Sequence, residues 1–494
     1  MSYLKLKSGT DIRGTAIGEN CELNDTAIEK IALAFLTFLK EKTGLSYENM
    51  KVCIGHDSRV SAPRIKAALI RVFNACGVKA LDCGLSSTPA MFMVTVETDC
   101  TASVQITASH HPYDKNGLKF FTREGGFEAE DIGAILTIAD GIGAVKTAGD
   151  IAEAFDFMPR YAEILREKIK KEINAPDYEH PLAGFKIVTD AGNGAGGFFS
   201  ENVLKTLGAD TTGSRFLEPD GMFPNHIPNP ENEIAMSFIC KAVLENHADL
   251  GVIFDTDVDR AACVAPDGKL INRNALVALS SVIALEGNPG GTIVTDSVTS
   301  DGLKEFINNT LGGRHYRYKR GYKNVINKAI ELNRNGINCP LAIETSGHAA
   351  LRENYFLDDG AYLMTKIVIL LAKLRKEGKT LQSLLSELKQ PAEAKELRYI
   401  IGEEDFRAYG EKVIADLEEY VKAYPFITPA DDNREGFRIA FDKEHGNGWL
   451  LLRLSVHDPV LPLNAESNSE GGVAQILDFF NGFIEKYDKL TLKK

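Results

Sequence analysis

Three short stretches constrain the fold of this chain most: "MKVCIGHDSR" (residues 50–59), "FKIVTDAGNGAG" (185–196) and "GGTIVTDSVTSDG" (290–302). Each is a β-branched run of strand length that ends in an aspartate followed by small polar residues. That is the pattern of strands whose carboxyl ends open on the crevice where α/β sheets hold ligands. Strand-like and helix-like segments alternate around them, which predicts α/β domains with largely parallel sheets. One helix is clear: Asn24 or Asp25 caps it, Ile28, Ile31, Ala32, Phe35 and Leu39 share one face, and Gly44 ends it. Three similar segments in succession point to three related units. The last hundred or so residues read differently. There "GFRIAFD" and "GWLLLRLS" flank the turn-rich "KEHGNG" as a hairpin, and "VAQILDFFNGFIEKY" closes the chain as a helix. The expected division is three α/β domains, 1–155, 156–270 and 271–390, and a smaller α+β domain, 391–494.

Bulk properties limit the function classes. At 494 residues the chain is too long for one core. A formal net charge of −13 argues against a nucleic-acid or anionic-membrane surface, so any anionic ligand must meet locally gathered cations. The eight cysteines (21, 53, 76, 83, 100, 240, 263 and 339) show no C-x-x-C and no metal spacing, and several sit in apolar runs as core residues. No segment has signal-peptide character or approaches the roughly 18 apolar residues of a membrane span, so a cytoplasmic protein is expected. Oligomeric state is not readable from the sequence.

Four clusters carry chemistry. In "ITASHHPYDKNGLKFF" (106–121) an apolar strand runs into Ser109, His110 and His111, then Pro112, an Asn-Gly turn and Lys119. Ser109 is a candidate nucleophile or phosphoryl carrier, with His110 and Lys119 as proton handlers or phosphate ligands; the alternative is a polar surface loop. No G-x-S-x-G elbow is present, which disfavours acyl transfer. In "GVIFDTDVDR" a strand ends in Asp255, Asp257 and Asp259, then Arg260. Three carboxylates this close repel one another, and a hard divalent cation such as Mg²⁺ removes the repulsion; Arg260 suits a phosphate beside it. A solvated acidic turn is the alternative, and an EF-hand is excluded for want of its Gly and distal Glu. In "AIETSGHAAL", Glu344, Ser346 and His348 could read adjacent sugar hydroxyls or simply cap the next helix. In "LLLRLSVHDP", Arg453, Ser455 and His457 offer donors of the kind a phosphate accepts, as would alternating residues of an edge strand.

In this order the clusters resemble those of the α-D-phosphohexomutase superfamily, the phosphoglucomutase/phosphomannomutase group, over nearly the whole length. "TASHHP" is similar to its phosphoserine loop, "DTDVDR" to its metal loop, "ETSGH" to its sugar-binding loop, and "RLSVHDP" stands where its phosphate-binding loop belongs. "TDIRG", "GHDSRVSAP", "NGLK", "FPNHIPNPENE" and "RGYKN" add to the likeness.

The resemblance implies three related α/β domains with mixed sheets and a smaller fourth domain around a central cleft. It implies a phosphorylated Ser109, with Asp255, Asp257, Asp259 and that phosphoryl group binding Mg²⁺. Lys119 would be the general base or acid, with His110 and Arg260 beside the transferring phosphoryl. Arg13 and Lys323 would be further cations, Glu344 and Ser346 would bind sugar hydroxyls, and Arg453, Ser455 and His457 would hold the distal phosphate. The implied reaction interconverts hexose 1- and 6-phosphates of glucose or mannose through a bisphosphorylated sugar, with hexose 1,6-bisphosphate as activator and a small sugar phosphate, rather than nucleic acid or membrane, as partner. A phosphoglucosamine-type mutase, a Mg²⁺-dependent phosphatase and a non-catalytic sugar-phosphate binder are the alternatives. The chain departs from the family pattern at His111 (usually Asn), Ile343 (usually Gly) and Val456-His457-Asp458 in the last loop. A β-branched Val resists positive φ, so a different backbone is expected in that loop.

Overall fold

The computed structural model describes residues 2–455 and 458–493. The chain forms two compact units, one of residues 1–276 and 346–383, the other of 277–345 and 384–494. In the first unit the helix Asp25–Thr43 is capped by Asn24, whose side chain accepts from the Ala27 amide, and it ends at a left-handed Gly44. Its expected apolar face is buried throughout, and Phe35 stacks on Phe120 of the sheet with ring centroids 4.6 Å apart. Side chains of this size contribute roughly 1.5–3 kcal/mol each when fully buried.

The first sheet is mixed rather than largely parallel. Strand Lys51–His56 lies between Lys79–Leu85 and Ala102–Ile106, all three parallel. Lys115–Thr122 then runs antiparallel to both Ala102–Ile106 and Asp11–Thr15. The reversal follows from the short 107–114 loop, since an antiparallel neighbour needs no crossover helix. The second sheet pairs Ile187–Asp190 parallel with Leu250–Phe254, which turns back antiparallel into Ala261–Val264. Helix Glu233–Asn246 covers it, packing Met236, Ile239 and Val243 with Val188 and Ile253. Two π-helical segments, Phe199–Leu204 and Phe306–Thr310, interrupt the regular pattern.

In the second unit Thr292–Thr295 runs parallel to both Arg314–Arg317 and Leu341–Ile343. The C-terminal sheet is antiparallel throughout its described residues, in the order 427–429, 437–441, 448–452, 460–467, 393–401, 490–492. The expected hairpin is there, with Phe437 opposite Leu452. Helices Phe406–Val421 and Gly472–Ile484 close its core with Val413, Leu417, Ile476, Phe480 and Phe483. Among the described residues no helix is long and apolar enough to cross a membrane.

Candidate active site

The strand Ala102–Ile106 is buried along its length and delivers Ser109 just past its end. Ser109 itself takes a left-handed backbone, φ 50°, a conformation uncommon outside glycine. Two features hold it there. Its amide donates to Thr107 Oγ1 at 2.9 Å, and the guanidinium of Arg59 donates to the carbonyls of Ser109, His111, Pro112 and Lys115. Arg59 is fully enclosed and ion-paired at 3.3 Å with Asp57, the acid that ends strand Lys51–His56. The buried Ser109 hydroxyl donates to Asp255 Oδ2 at 2.8 Å and accepts from Arg260 Nη2 at 2.9 Å. Arg260 Nη2 also lies 2.6 Å from His110 Nδ1, which must accept because a guanidinium cannot. Burial, then Arg260, His111 and Arg13, push the His110 pKa down to about 2, so the imidazole is neutral. His111 stacks beside it, ring centroids 5.2 Å apart.

The second half of the centre is the turn between Leu250–Phe254 and Ala261–Val264. Asp255, Asp257 and Asp259 are all buried there, and one oxygen of each lies within 4.8 Å of the others. Two glycines fix the turn. A Cβ on Gly194 would stand 2.4 Å from the Thr256 carbonyl, and one on Gly360 would stand 2.8 Å from the Arg260 carbonyl carbon. Gly360 instead brings its amide to the Val258 carbonyl at 3.0 Å, with Val258 held at φ 68°.

Lys119 Nζ donates to Asp259 Oδ2 at 2.6 Å and to Asp257 Oδ2 at 3.1 Å. Arg260 faces Asp255 at 3.0 Å. His348 Nδ1 lies 2.6 Å from Asp358 and 4.0 Å from Asp259. Burial works against the charged imidazole, but Asp358 and Asp259 outweigh it and raise the His348 pKa to about 9. Burial, reinforced by Asp259 and Asp257, drives Asp255 well above the usual carboxylate range. Asp259 goes the other way: burial opposes its charge, but Lys119, His348 and Arg260 hold it well below that range. Asp257 Oδ1 and Asp259 Oδ1 are buried with no hydrogen-bond partner among the described residues. An oxygen-only cluster with unused lone pairs fits a hard divalent cation. Arg13, on strand Asp11–Thr15, is ion-paired with Asp11 at 2.7 Å.

The second unit carries the other predicted residues. Glu344 is buried and accepts from the Gly321 amide at the start of helix Tyr322–Arg334, whose second residue is Lys323. Thr345 donates through its hydroxyl to Asp296, the acid ending strand Thr292–Thr295, at 2.7 Å. Arg453 is buried, with Nη1 3.9 Å from Glu435, which also accepts from the Arg320 amide and the Ser297 hydroxyl. Ser455 Oγ accepts from the Asp458 amide at 3.3 Å. Val456 and His457 lie outside the described residues. Ser346, like His348, belongs to the first unit.

Comparison with known proteins decides the family. Models of the α/β/α domains I, II and III of phosphoglucomutase/phosphomannomutase match residues 5–144, 160–268 and 272–391. The chain belongs to the phosphoglucomutase/phosphomannomutase family. A phosphoglucomutase of Neisseria meningitidis is 29% identical over 489 residues, 97% of this chain and 96% of the relative. A phosphoglucomutase/phosphomannomutase of Thermococcus kodakarensis is 30% identical over 487 residues, 98% and 99% of the two chains. A crystal structure of a phosphoglucomutase/phosphomannomutase family protein from Burkholderia thailandensis superposes with a TM-score of 0.78 at 25% identity, covering 98% of each chain.

Within this member of the phosphoglucomutase/phosphomannomutase family, the first unit brings together Ser109, His110, Lys119, Arg260, His348 and the three aspartates. Sequence reasoning missed two residues that hold them. Arg59 ended a stretch read for its strand and its aspartate, and its four carbonyl contacts leave no mark on periodicity. Thr88, the first residue of helix Thr88–Glu97, donates its hydroxyl to Asp257 Oδ2 at 2.5 Å and its amide to the Asp257 carbonyl at 2.8 Å. The "SSTPA" segment signals a helix start, with Ser87 as cap and Pro in the first turn, but nothing in it points to residue 257.

Proposed function

We propose that Ser109 carries the phosphoryl group with which this enzyme interconverts hexose 1-phosphates and hexose 6-phosphates, with glucose and mannose as the sugars. The observation that supports this reading is the Ser109 hydroxyl held between Asp255 Oδ2 and Arg260 Nη2 against three buried carboxylates. Asp255, Asp257 and Asp259, with the phosphoryl oxygens of Ser109, would hold Mg²⁺. Charge makes the case: three carboxylates face Arg260 and Lys119, while His348 is matched by Asp358. A phosphoserine adds about two more negative charges. Bound there, the cation supplies charge neutralisation for phosphoryl transfer.

The residues divide the work. As the bond from phosphorus to Oγ breaks and the bond to the sugar oxygen forms, Arg260 Nη2 stabilises the charge growing on Oγ. Lys119 holds the proton that one oxygen gives up and the other takes, and neutral His110 keeps Arg260 aligned on Oγ. Glu344 and Ser346 engage the sugar hydroxyls, with His348 beside them. Arg453, Ser455 and His457 hold the phosphate that is not reacting, and Arg13 and Lys323 add further cations to the site. Hexose 1,6-bisphosphate restores the phosphoserine when the intermediate escapes. A four-part division near residues 155, 270 and 390 completes the reading.

The test is intact mass of the protein before and after incubation with Mg²⁺, glucose 1-phosphate and catalytic glucose 1,6-bisphosphate. One phosphate mapping to Ser109, with glucose 6-phosphate formed and Ser109→Ala inactive, is the expected result. No phosphorylation and no isomerisation with either the glucose or the mannose ester would reject it.

A further inference from the structure

Three cysteines that phosphoryl transfer does not use meet in the first sheet. Cys53 lies on strand Lys51–His56, Cys83 on the adjacent Lys79–Leu85, and Cys100 just before Ala102–Ile106. All three are buried. The Cys53 and Cys100 sulfurs are 2.7 Å apart. A disulfide is about 2.05 Å long, so this separation is close to bonding distance while the two remain thiols. The strands beside the pair are themselves fixed to each other. Val52 pairs with Ala102 and Cys53 with Ser103 in parallel register, the Thr101 amide donates to the Lys51 carbonyl at 2.8 Å, and the Lys51 amide donates to Thr101 Oγ1 at 3.1 Å. Cys83, on the neighbouring strand, also raises the pKa of Cys53.

The two partners differ in character. The neighbouring Cys53 thiol, with help from Thr98 and Lys51, lowers the pKa of Cys100 against the opposing effect of burial. Cys53 is raised by Cys100, Cys83 and burial together. Cys100 also adjoins an exposed turn, where the largely solvated Asp99 is ion-paired to Lys51. A small oxidant therefore meets the better nucleophile first.

We propose that Cys53 and Cys100 form an oxidation site, closed to a disulfide by peroxide and separate from the phosphoryl-transfer centre. The Cys100 sulfur attacks one peroxide oxygen, the O–O bond breaks, and the departing hydroxide leaves as water with the thiol proton. This gives a sulfenic acid at Cys100. The Cys53 sulfur then displaces that hydroxyl, the S–S bond forms, and the second thiol proton leaves as water. Two thiols lose two electrons and one peroxide gains them. Cys83 is left reduced, because the 2.7 Å approach joins the other two.

The experiment treats the full-length protein, with Mg²⁺ present, with graded hydrogen peroxide. It is followed by acid quench, alkylation and peptide mapping without reductant. The expected result is a linked species joining the Cys53 and Cys100 peptides, lighter by two hydrogens and reopened by dithiothreitol. In Cys53→Ala the same dose should leave Cys100 as a sulfenic acid captured by dimedone. Full alkylation of both cysteines at a dose that oxidises free glutathione would overturn the proposal. So would sulfinic acid at Cys100 without a link in the wild type, or a link from Cys53 to Cys83.

Discussion

Arg59 directs its guanidinium at four carbonyls of one loop, and that loop carries Ser109 in a conformation it would not choose alone. Lysine at this position keeps the charge but loses the planar fork, so several carbonyls are left without a donor. Arg59→Lys should destabilise the protein by roughly 3 kcal/mol, the scale of one or two buried carbonyls left without a donor, and should lower kcat because Ser109 is released. Urea unfolding and steady-state kinetics read the two effects; lost stability with unchanged kcat would mean the loop is held by other contacts. Thr88 acts on the acidic turn in the same way. Thr88→Val removes the hydroxyl donated to Asp257, a hydrogen bond to a charged group worth about 1.5–3 kcal/mol. Isomerisation should fall at least about tenfold in kcat with little change in KM, the pattern of a group that matters in the transition state. The sequence made the participants legible, since Ser109, the three aspartates, Lys119 and Arg260 stand in recognisable local patterns. It hid the holders. The contacts of Arg59 reach up to 56 positions along the chain and that of Thr88 reaches 169, and neither uses a spacing that marks a helix or a strand.

At the scale of elements, the three strand-ending aspartates act alike. Asp57, Asp190 and Asp296 are fully buried and hold loops. Asp57 anchors Arg59, Asp296 anchors Thr345 beside Glu344, and Asp190 accepts from the Gly192 amide and pairs with His226. The pattern of strand, acid and small residues was read as a repeated strand end beside a crevice. Its partners come from distant segments, so the sequence could not show that the acids are braces. The Asp190–His226 pair gives a pH signature. Burial opposes the imidazolium, but Asp190 raises the His226 pKa above its ordinary value overall. A raised folded value means the pair stabilises fully below the unfolded histidine pKa of about 6.5 and is lost as pH rises through the folded value. Melting temperatures of wild type and His226→Gln should therefore lie furthest apart in mild acid and converge toward alkaline pH. Parallel curves would place the stabilisation elsewhere.

For the whole molecule, a divalent cation held by the buried acidic turn would make stability depend on that cation. Folding without one confines three carboxylates, and a ligand that binds only the folded state stabilises it by about 2.7 kcal/mol at a hundred times its dissociation constant. Mg²⁺ should raise the melting midpoint and a chelator should lower it. Ser109→Ala should retain that response, whereas Asp257→Asn should lose it. Equal midpoints with and without Mg²⁺ in the wild type would argue against a cation in the turn. The path of the chain has a further consequence, for synthesis. The first unit leaves off at residue 276 and resumes at 346, yet its acidic turn leans on Gly360. A ribosome adds about 5–20 residues per second, so the turn waits some seconds for its glycine while the intervening segment emerges. During that interval the half-made protein exposes a concentrated patch of acid, and a chaperone or a free metal ion could meet it before the fold closes.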